Sequence, residues 1–330
     1  MNTEIKKLFQ MKQFFTILHS QDNSIKFKLR EPSQLLIKNI HNDWLQYNHI
    51  KSGKHHMPVF LNDLRHKLEH NPSAFGIVKQ DLLDYKKDRG LELKYKNWDL
   101  GKKSLLALEL IVPQHYGMQY LIQWQRYRKY WWSSISTTPS LFSTNELKYD
   151  GNSGNVDIVA RFPKGDRLVE SLSFEANAAN KTCTLGCTIH LEHALFVLLL
   201  DGLNSSNRED YLRLHRKIAP YKISIALNIG KESINGGPLC KLASYLYQRL
   251  ETNNISTWLP DFSLPLDMQI KEGLRMGVTY TAILEENTLK FGLLTLMNSS
   301  TTLTEQAHIA DLCKYAALIS GSQKEVDCLK

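Results

Sequence analysis

His215-Arg-Lys-Ile-Ala-Pro-Tyr-Lys-Ile-Ser-Ile-Ala-Leu227 is the stretch from which the fold can be read. Proline lacks a backbone N–H and disfavours helix in the residue before it, so Ala219-Pro220 is a turn, and the apolar residues after it form a strand. Downstream the pattern predicts a helix, a short strand at Ile255–Leu259 and a second helix. Gly277-Val-Thr-Tyr-Thr-Ala-Ile-Leu-Glu285 and Leu289-Lys-Phe-Gly-Leu-Leu-Thr-Leu296 follow. Upstream, the polar, turn-rich run Ser205–Asp210 makes the best domain boundary. The expected organisation is an N-terminal segment over 1–60 of unassigned fold, a domain over 61–207 and a domain over 208–330.

The chain has 330 residues, enough for two domains with cores of their own. Its hydrophobic share of 42% with 22% charged residues fits a globular chain. The longest apolar run, Ala194–Leu200, is far short of the roughly 20 residues a helix needs to cross a bilayer. A formal net charge of +8 favours polyanionic partners without specifying a fold. Five sparse cysteines, an odd number, do not make a disulfide framework and point to a reducing compartment. Residues 1–20 carry Lys6, Lys7 and Lys12 but no arginine, a poor match to an amphipathic targeting segment.

Residues 1–60 read as mixed and mostly polar with short helical stretches. Met57–Leu68 is expected as a helix leading into a turn at His70-Asn-Pro-Ser73. Tyr85–Lys103 carries seven basic residues (Lys86, Lys87, Arg89, Lys94, Lys96, Lys102, Lys103) against three acids, as a solvated loop or a phosphate-facing surface would. Ser104–Pro113 reads as a strand, and Tyr116–Ser134 as a helix crowded with aromatics. Trp124, Tyr127 and Trp131 fall on one face of that helix, and Arg126, Lys129 and Tyr130 on another. Asp150-Gly-Asn-Ser-Gly-Asn155 joins two strands in a hairpin. A strand at Cys187–His190 precedes an apolar helix over 191–203.

In order along the chain, these segments resemble the accessory (beta) subunits of mitochondrial DNA polymerase gamma. The resemblance is carried by Tyr120-Leu-Ile-Gln-Trp-Gln-Arg-Tyr-Arg-Lys-Tyr-Trp-Trp132 with Thr138-Pro-Ser-Leu-Phe-Ser143, by Phe162-Pro-Lys-Gly-Asp-Arg-Leu-Val-Glu170, by Leu214-His-Arg-Lys-Ile-Ala-Pro220, and by Leu293–His308 as a final strand, a Thr-Thr loop and the start of the last helix. It spans roughly residues 104–320. That family is similar to class II aminoacyl-tRNA synthetases of the glycyl, prolyl, threonyl and histidyl group. The implied fold is α/β (α+β): a synthetase-like antiparallel sheet domain followed by an anticodon-binding-like mixed β-sheet domain flanked by helices. The implied role is non-catalytic, in the mitochondrial matrix and nucleoid. It consists of binding the polymerase's catalytic subunit and strengthening its hold on primer-template DNA. Two alternatives are an active class II synthetase and a synthetase-derived RNA-binding protein.

Adenylation chemistry separates these alternatives. Charge developing on the ATP phosphate is met in class II enzymes by positioned arginines, whose planar fork pairs two oxygens at once. One sits in a Gly-x-x-Arg pattern at the start of an apolar helix. In Cys187-Thr-Ile-His-Leu-Glu-His-Ala-Leu-Phe-Val-Leu-Leu199 the glycine position is His190 and the arginine position is His193. Neutral imidazole cannot make a bidentate pair. The other arginine belongs to an Arg-x-Glu strand motif that Val112–Ser143 does not contain. Arg249-Leu-Glu251 has the letters, but on a predicted helix of the wrong domain. No catalytic residue is therefore expected. In the last domain, Met297, Ser299 and Ser300 stand where family members often carry Arg-x-Arg-Asp before the threonines, here Thr301 and Thr302.

Cys183, Cys187, His190 and His193 have metal-ligand chemistry at close spacing, yet they span a strand-to-helix change; packed and degenerate positions are the expectation, with no metal and no cofactor. His55-His56, His66 and His70 read as surface. Candidate DNA contacts, to double-stranded or primer-template DNA without sequence preference, are Lys86, Lys87, Arg126, Arg128 and Lys129. Candidate polymerase contacts are Trp258, Leu259 and Phe262, because aromatic anchors favour interface centres. About 100 residues precede the first matched strand. That leaves little room for the inserted helical segment through which vertebrate members of the family dimerise, so a monomer pairing one-to-one with the catalytic subunit is expected.

Overall fold

A computed structural model describes residues 3–61, 74–87, 90–95, 98–177, 179–206, 211–229 and 236–320. The chain divides into two compact units, Met1–Asp201 and Gly202–Lys330.

The first unit opens with α1 (Thr3–Gln10), a hairpin of β1 (Phe15–Ser20) and β2 (Ser24–Leu29), and α2 (Glu31–Gly53). Then come β3 (Val59–Leu61), β4 (Phe75–Asp81), β5 (Leu91–Lys94), β6 (Asp99–Leu100), β7 (Leu105–Pro113) and α3 (Gly117–Ile135). It closes with β8 (Phe142–Thr144), β9 (Lys148–Tyr149), β10 (Ser153–Phe162), β11 (Gly165–Asn177), β12 (Thr182–His190) and α4 (Leu191–Asn204), whose last residues belong to the second unit. The main sheet has the order β3-β4-β7-β12-β11-β10-β8, with β9 beside β10. It is antiparallel except for the β3–β4 pair. A small sheet runs β1-β2-β5-β6.

Burial along β7 and β12 alternates strictly, as the two-residue period of a strand with one covered face requires. Leu106, Leu108 and Leu110 share the covered face with Cys183, Leu185, Cys187 and Ile189. The helix α3 lies on that face: a Cβ on Gly117 would collide with Phe174 and Cys183, so only glycine lets the helix start so close to the sheet.

Several expectations change here. Residues 1–60 hold a 23-residue helix, α2, rather than short helical stretches. Pro32 sits in its first turn, where no N–H is needed, and Leu36, Ile37, Ile40, Trp44 and Asn48 recur at helical spacing on its buried side. The hairpin before it buries Phe15 and Phe27, which with Phe9 and Phe196 form a cluster with ring centroids 4.9–6.1 Å apart. The helix expected over Met57–Leu68 is replaced at 59–61 by β3; residues 62–68 lie outside the described residues, as do the turn at 70–73, His66, Arg89 and Lys96. The basic stretch 85–103 is not a plain loop. Leu91, Leu93, Trp98 and Leu100 are buried through the small sheet, while Lys86, Lys87, Lys94 and Lys102 stay exposed. Finally, β12 begins at Thr182, so Cys183 is on the strand and not before it.

The second unit contains β13 (Ile223–Leu227), α5 (Gly236–Thr252), β14 (Thr257–Trp258), α6 (Leu266–Arg275), β15 (Tyr280–Leu284), α7 (Glu286–Phe291), β16 (Leu293–Asn298), β17 (Thr304–His308) and α8 (Leu312–Ser320). Its sheet order is β14-β13-β15-β16-β17, with β13 parallel to both neighbours and the rest antiparallel. All five residues of β13 are buried, as expected for a parallel strand covered on both faces. Ile223, Ile225, Leu239, Leu246, Leu284 and Leu296 lie in one core. The region 293–308 differs from the expected strand, loop and helix start: after the threonine turn the chain returns as β17, a mostly exposed edge strand. The fold is mixed α/β, with an antiparallel-dominated sheet unit followed by a mixed-sheet unit.

Candidate functional site

The site expected from the sequence lies where β12 gives way to α4. Glu192, the second residue of the helix, is fully buried and fixes this junction. Its Oε1 accepts hydrogen bonds from the Tyr85 hydroxyl and from Ser104 Oγ (2.8 Å), and its Oε2 accepts one from the Ser104 backbone N–H (2.7 Å). Burial pushes the Glu192 carboxyl above its usual range, and the donors from Tyr85 and Ser104 oppose that push.

His190, the last residue of β12, and His193, in the first turn of α4, stand with ring centroids 5.7 Å apart. Both line a cleft of about 310 Å³ together with Trp98, Lys103, Asp166, Arg167, Ser171 and Thr188. The Arg167 guanidinium lies over the Trp98 indole, 4.5 Å from its centroid. Burial, with the Lys103 ammonium and the neighbouring His190 adding to it, brings the His193 imidazole down to about 4. Burial and Lys103 also lower His190. Both rings are therefore neutral near pH 7. Sequence reasoning did not single out Lys103, Arg167 and Trp98 as cleft residues. They come from three separate segments, and nothing short of the fold brings them together.

His193 carries a sign for stability. Its folded pKa lies below the unfolded one, so the unfolded chain binds the extra proton and stability falls as pH drops from about 6.5 toward 4. In His193→Gln, thermal denaturation followed across that window is expected to show a shallower acid-side loss than the wild-type chain. An unchanged slope would contradict the buried neutral ring.

The metal-ligand reading of Cys183, Cys187, His190 and His193 meets the strand's period. Both cysteines are buried on the face covered by α3, whereas His190 projects from the opposite face. The four groups do not converge.

The basic candidates separate. Arg126 and Lys129 are exposed on α3, and Lys86 and Lys87 are exposed in the turn after β4, where Lys87 Nζ lies 3.4 Å from Asp84 Oδ2. Among the described residues no ion pair or hydrogen bond joins the two groups. Arg128, expected as a DNA contact, faces the interior instead. It is wholly buried, with Nε donating to Glu170 Oε1 (2.7 Å), NH1 donating to Asn48 Oδ1 (3.2 Å), and its guanidinium 4.4 Å from the Trp131 ring centroid. Glu170 Oε2 accepts from Trp132 Nε1 at 2.7 Å. The helical spacing held the clue, since Arg128 is four residues after Trp124 and three before Trp131, on the face those two define. His55, expected at the surface, instead packs among Tyr120, Trp124 and Tyr127. Lys51 of α2, a cation the sequence did not bring forward, reaches over the Tyr127 ring at 4.8 Å.

In the second unit Trp258 is half-buried with its ring 5.2 Å from Tyr221, and Leu259 and Phe262 pack partly against the core. The more exposed apolar side chains there are Phe291, Leu303 and Leu318. Met297 and Ser299 are buried, and Ser300 Oγ lies 2.9 Å from the Tyr211 hydroxyl.

No protein-family model matches the chain. Among curated proteins it is similar to DNA polymerase subunit gamma-2, mitochondrial, of Drosophila melanogaster, with 27% identity over 248 residues, covering 65% of this chain and 66% of the relative. The subunit of the same name in Xenopus laevis is 24% identical over 298 residues (76% and 63%). DNA polymerase subunit gamma-2 of Mus musculus is 25% identical over 262 residues (67% and 55%). The chain thus spans between about half and two thirds of the length of the curated relatives it matches. The resemblance carried by residues 104–320 is borne out: over 65–76% of its length this chain is similar to proteins named as subunit gamma-2 of DNA polymerase.

Proposed function

We propose that this protein is a non-catalytic accessory subunit of mitochondrial DNA polymerase gamma, acting in the mitochondrial matrix and nucleoid. It binds the catalytic subunit one-to-one as a monomer and strengthens that subunit's hold on primer-template DNA. The observation that carries the reading is the similarity to relatives that all bear the subunit gamma-2 name. Histidines at both positions of the Gly-x-x-Arg pattern support the non-catalytic part, because neutral rings cannot clamp an ATP phosphate as arginine does.

The test is primer extension by the catalytic subunit with and without this chain. Added chain is expected to lengthen products, most visibly at raised salt, while amino-acid-dependent ATP–pyrophosphate exchange stays at background. Extension products unchanged at saturating chain would overturn the proposal, as would exchange with any amino acid. Sedimentation of the isolated chain as a stable homodimer would overturn the monomer.

DNA contact is assigned to the exposed cations Lys86, Lys87, Arg126 and Lys129, with Arg128 excluded. Charge reversal at all four is expected to weaken duplex binding and to reduce the slope of log K against log salt, by about 0.9 for each phosphate no longer neutralised. A slope equal to wild type would remove these residues from the DNA surface.

A further inference from the structure

We propose that the paired flank of α2 and α3 binds an unpaired DNA strand, with bases stacking on the outer tyrosines of α3 and cations on both sides meeting the phosphates. The inference deepens the primer-template reading above and rests on it. The two helices run antiparallel. Asp43 Oδ2 accepts from Trp131 Nε1 (2.8 Å), the Tyr47 hydroxyl donates to the Tyr127 carbonyl (2.9 Å), and His55 Nε2 lies 3.2 Å from the Tyr127 hydroxyl. Tyr116, Tyr120, Tyr127 and Tyr130 recur at helical spacing and make one stripe beside this seam. At 1.5 Å per residue the stripe is about 20 Å long.

Packing does not account for the stripe. The face of α3 that covers the sheet is made by Leu121, Trp124, Arg128, Trp131, Trp132 and Ile135. Tyr116 and Tyr130, at the two ends of the stripe, are instead 48% and 64% exposed. Tyr120 and Tyr127 between them are half-buried, and ring contacts of 5.5–6.5 Å run from Tyr116 through Tyr120 and Trp124 to Tyr127. Aromatic side chains held in place by a buried neighbour are platforms on which unpaired bases stack whatever their sequence.

The charge around the stripe is one-sided. No Asp or Glu occurs from 44 to 62 or from 110 to 145. Arg128 is answered internally by Glu170, which leaves Lys51 and Lys54 on the α2 side and Arg126 and Lys129 on the α3 side. Lys54, Arg126 and Lys129 are exposed. The half-buried Lys51 ammonium lies over the Tyr47 and Tyr127 rings, 5.0 and 4.8 Å from their centroids. Burial and the neighbouring Lys54 lower its pKa, an opposition that a phosphate between the two would relieve. Asp43, the acid nearest in the sequence of α2, is engaged by Trp131. Cations alone would suit a duplex equally well, but a duplex keeps its bases stacked on each other. Exposed rings between two rows of cations favour the single strand.

The test is fluorescence anisotropy of the full chain, without polymerase, against a labelled oligothymidylate of about 15 nucleotides and against a duplex of the same length. Oligothymidylate is expected to bind saturably. Tyr116→Leu and Tyr130→Leu should each weaken it at least fivefold with the salt slope kept, because stacking is lost and no charge is removed. Duplex affinity should not change in either variant. Lys51→Met with Lys54→Met should reduce the oligothymidylate slope by about 0.7 for each phosphate no longer neutralised. Lys241→Met, at an exposed position of α5, should change neither affinity nor slope. Tyr130→Phe keeps an aromatic face and should keep wild-type affinity, which separates stacking from a hydroxyl contact or a folding defect. Because the catalytic subunit is left out, failure here is distinct from failure of the primer-extension test. Wild-type affinity for oligothymidylate in both leucine variants, or a parallel loss on duplex, would overturn the proposal. If Tyr130→Leu changed the sedimentation of the chain and left strand affinity intact, the flank would be a contact between copies, which would also overturn it.

Discussion

Replacing Arg128 with methionine is expected to destabilise the first unit by about 3–5 kcal/mol, the range for breaking a buried ion pair from one side. Methionine fills much of the volume but leaves Glu170 charged and fully buried with Trp132 Nε1 as its remaining donor. Asn48 Oδ1 also loses its partner, and the Trp131 ring loses its cation. The measurement is urea unfolding followed by tryptophan fluorescence. Adding Glu170→Gln in the same chain should return a large part of the loss, because the cost comes mainly from the stranded carboxylate. A single-variant loss below about 1 kcal/mol would show that the pair does not hold α3 to the sheet. Any effect of Arg128→Met on DNA binding should track unfolding, in contrast to Arg126 and Lys129.

A second large effect is expected at Gln269, which is almost fully buried in α6. Strand β14 pairs with β13 only at Ile223 and Ser224, so the far end of β13 lacks a neighbour on that side. Gln269 substitutes for one: its Oε1 accepts the Leu227 N–H (2.9 Å), and its Nε2 donates to the Leu227 carbonyl (3.1 Å) and to the Leu264 carbonyl (2.8 Å). In Gln269→Leu these buried backbone groups lose their partner, and each orphaned group costs about 1–3 kcal/mol. The expected loss is about 2–4 kcal/mol, confined to the second unit. Amide exchange resolves this, with protection falling across 223–227 and 280–284 while β7 and β12 keep theirs. Uniform loss across both units would contradict a local role.

The two effects also mark where the sequence was legible. Strands β7 and β13 and helices α3 and α4 could be read because their apolar period is clean and burial decides them. Helix α2 was obscured because Gln34, Lys38, Asn39, His41 and Asn42 surround its thin apolar stripe. Strand β17, Thr-Glu-Gln-Ala-His, is an edge strand whose ladder bonds do the work that apolar residues do elsewhere, so composition gives no signal. At the site, the positions of His190 and His193 were legible from one motif. The cleft around them was not, because a local pattern cannot tell that Trp98 and Arg167 stack across 69 positions of chain. Arg128 misled because a basic residue among aromatics looks solvated until its place in the helical period is weighed.

The order of strands in the main sheet also bears on how the chain is made. Its central pair joins 105–113 to 182–190, so the covered face cannot close until the 68 intervening residues, 114–181, are present and the closure entropy of a long loop has been overcome. Strand β13, by contrast, meets β15 after about 55 residues, and β15, β16 and β17 follow as neighbours. On its longer-range pairing the first unit is expected to fold more slowly than the second and to expose its leucine face for longer, which stopped-flow refolding of the chain would show as the slower phase. During synthesis or refolding, that half of the chain is the one that most needs protection from aggregation.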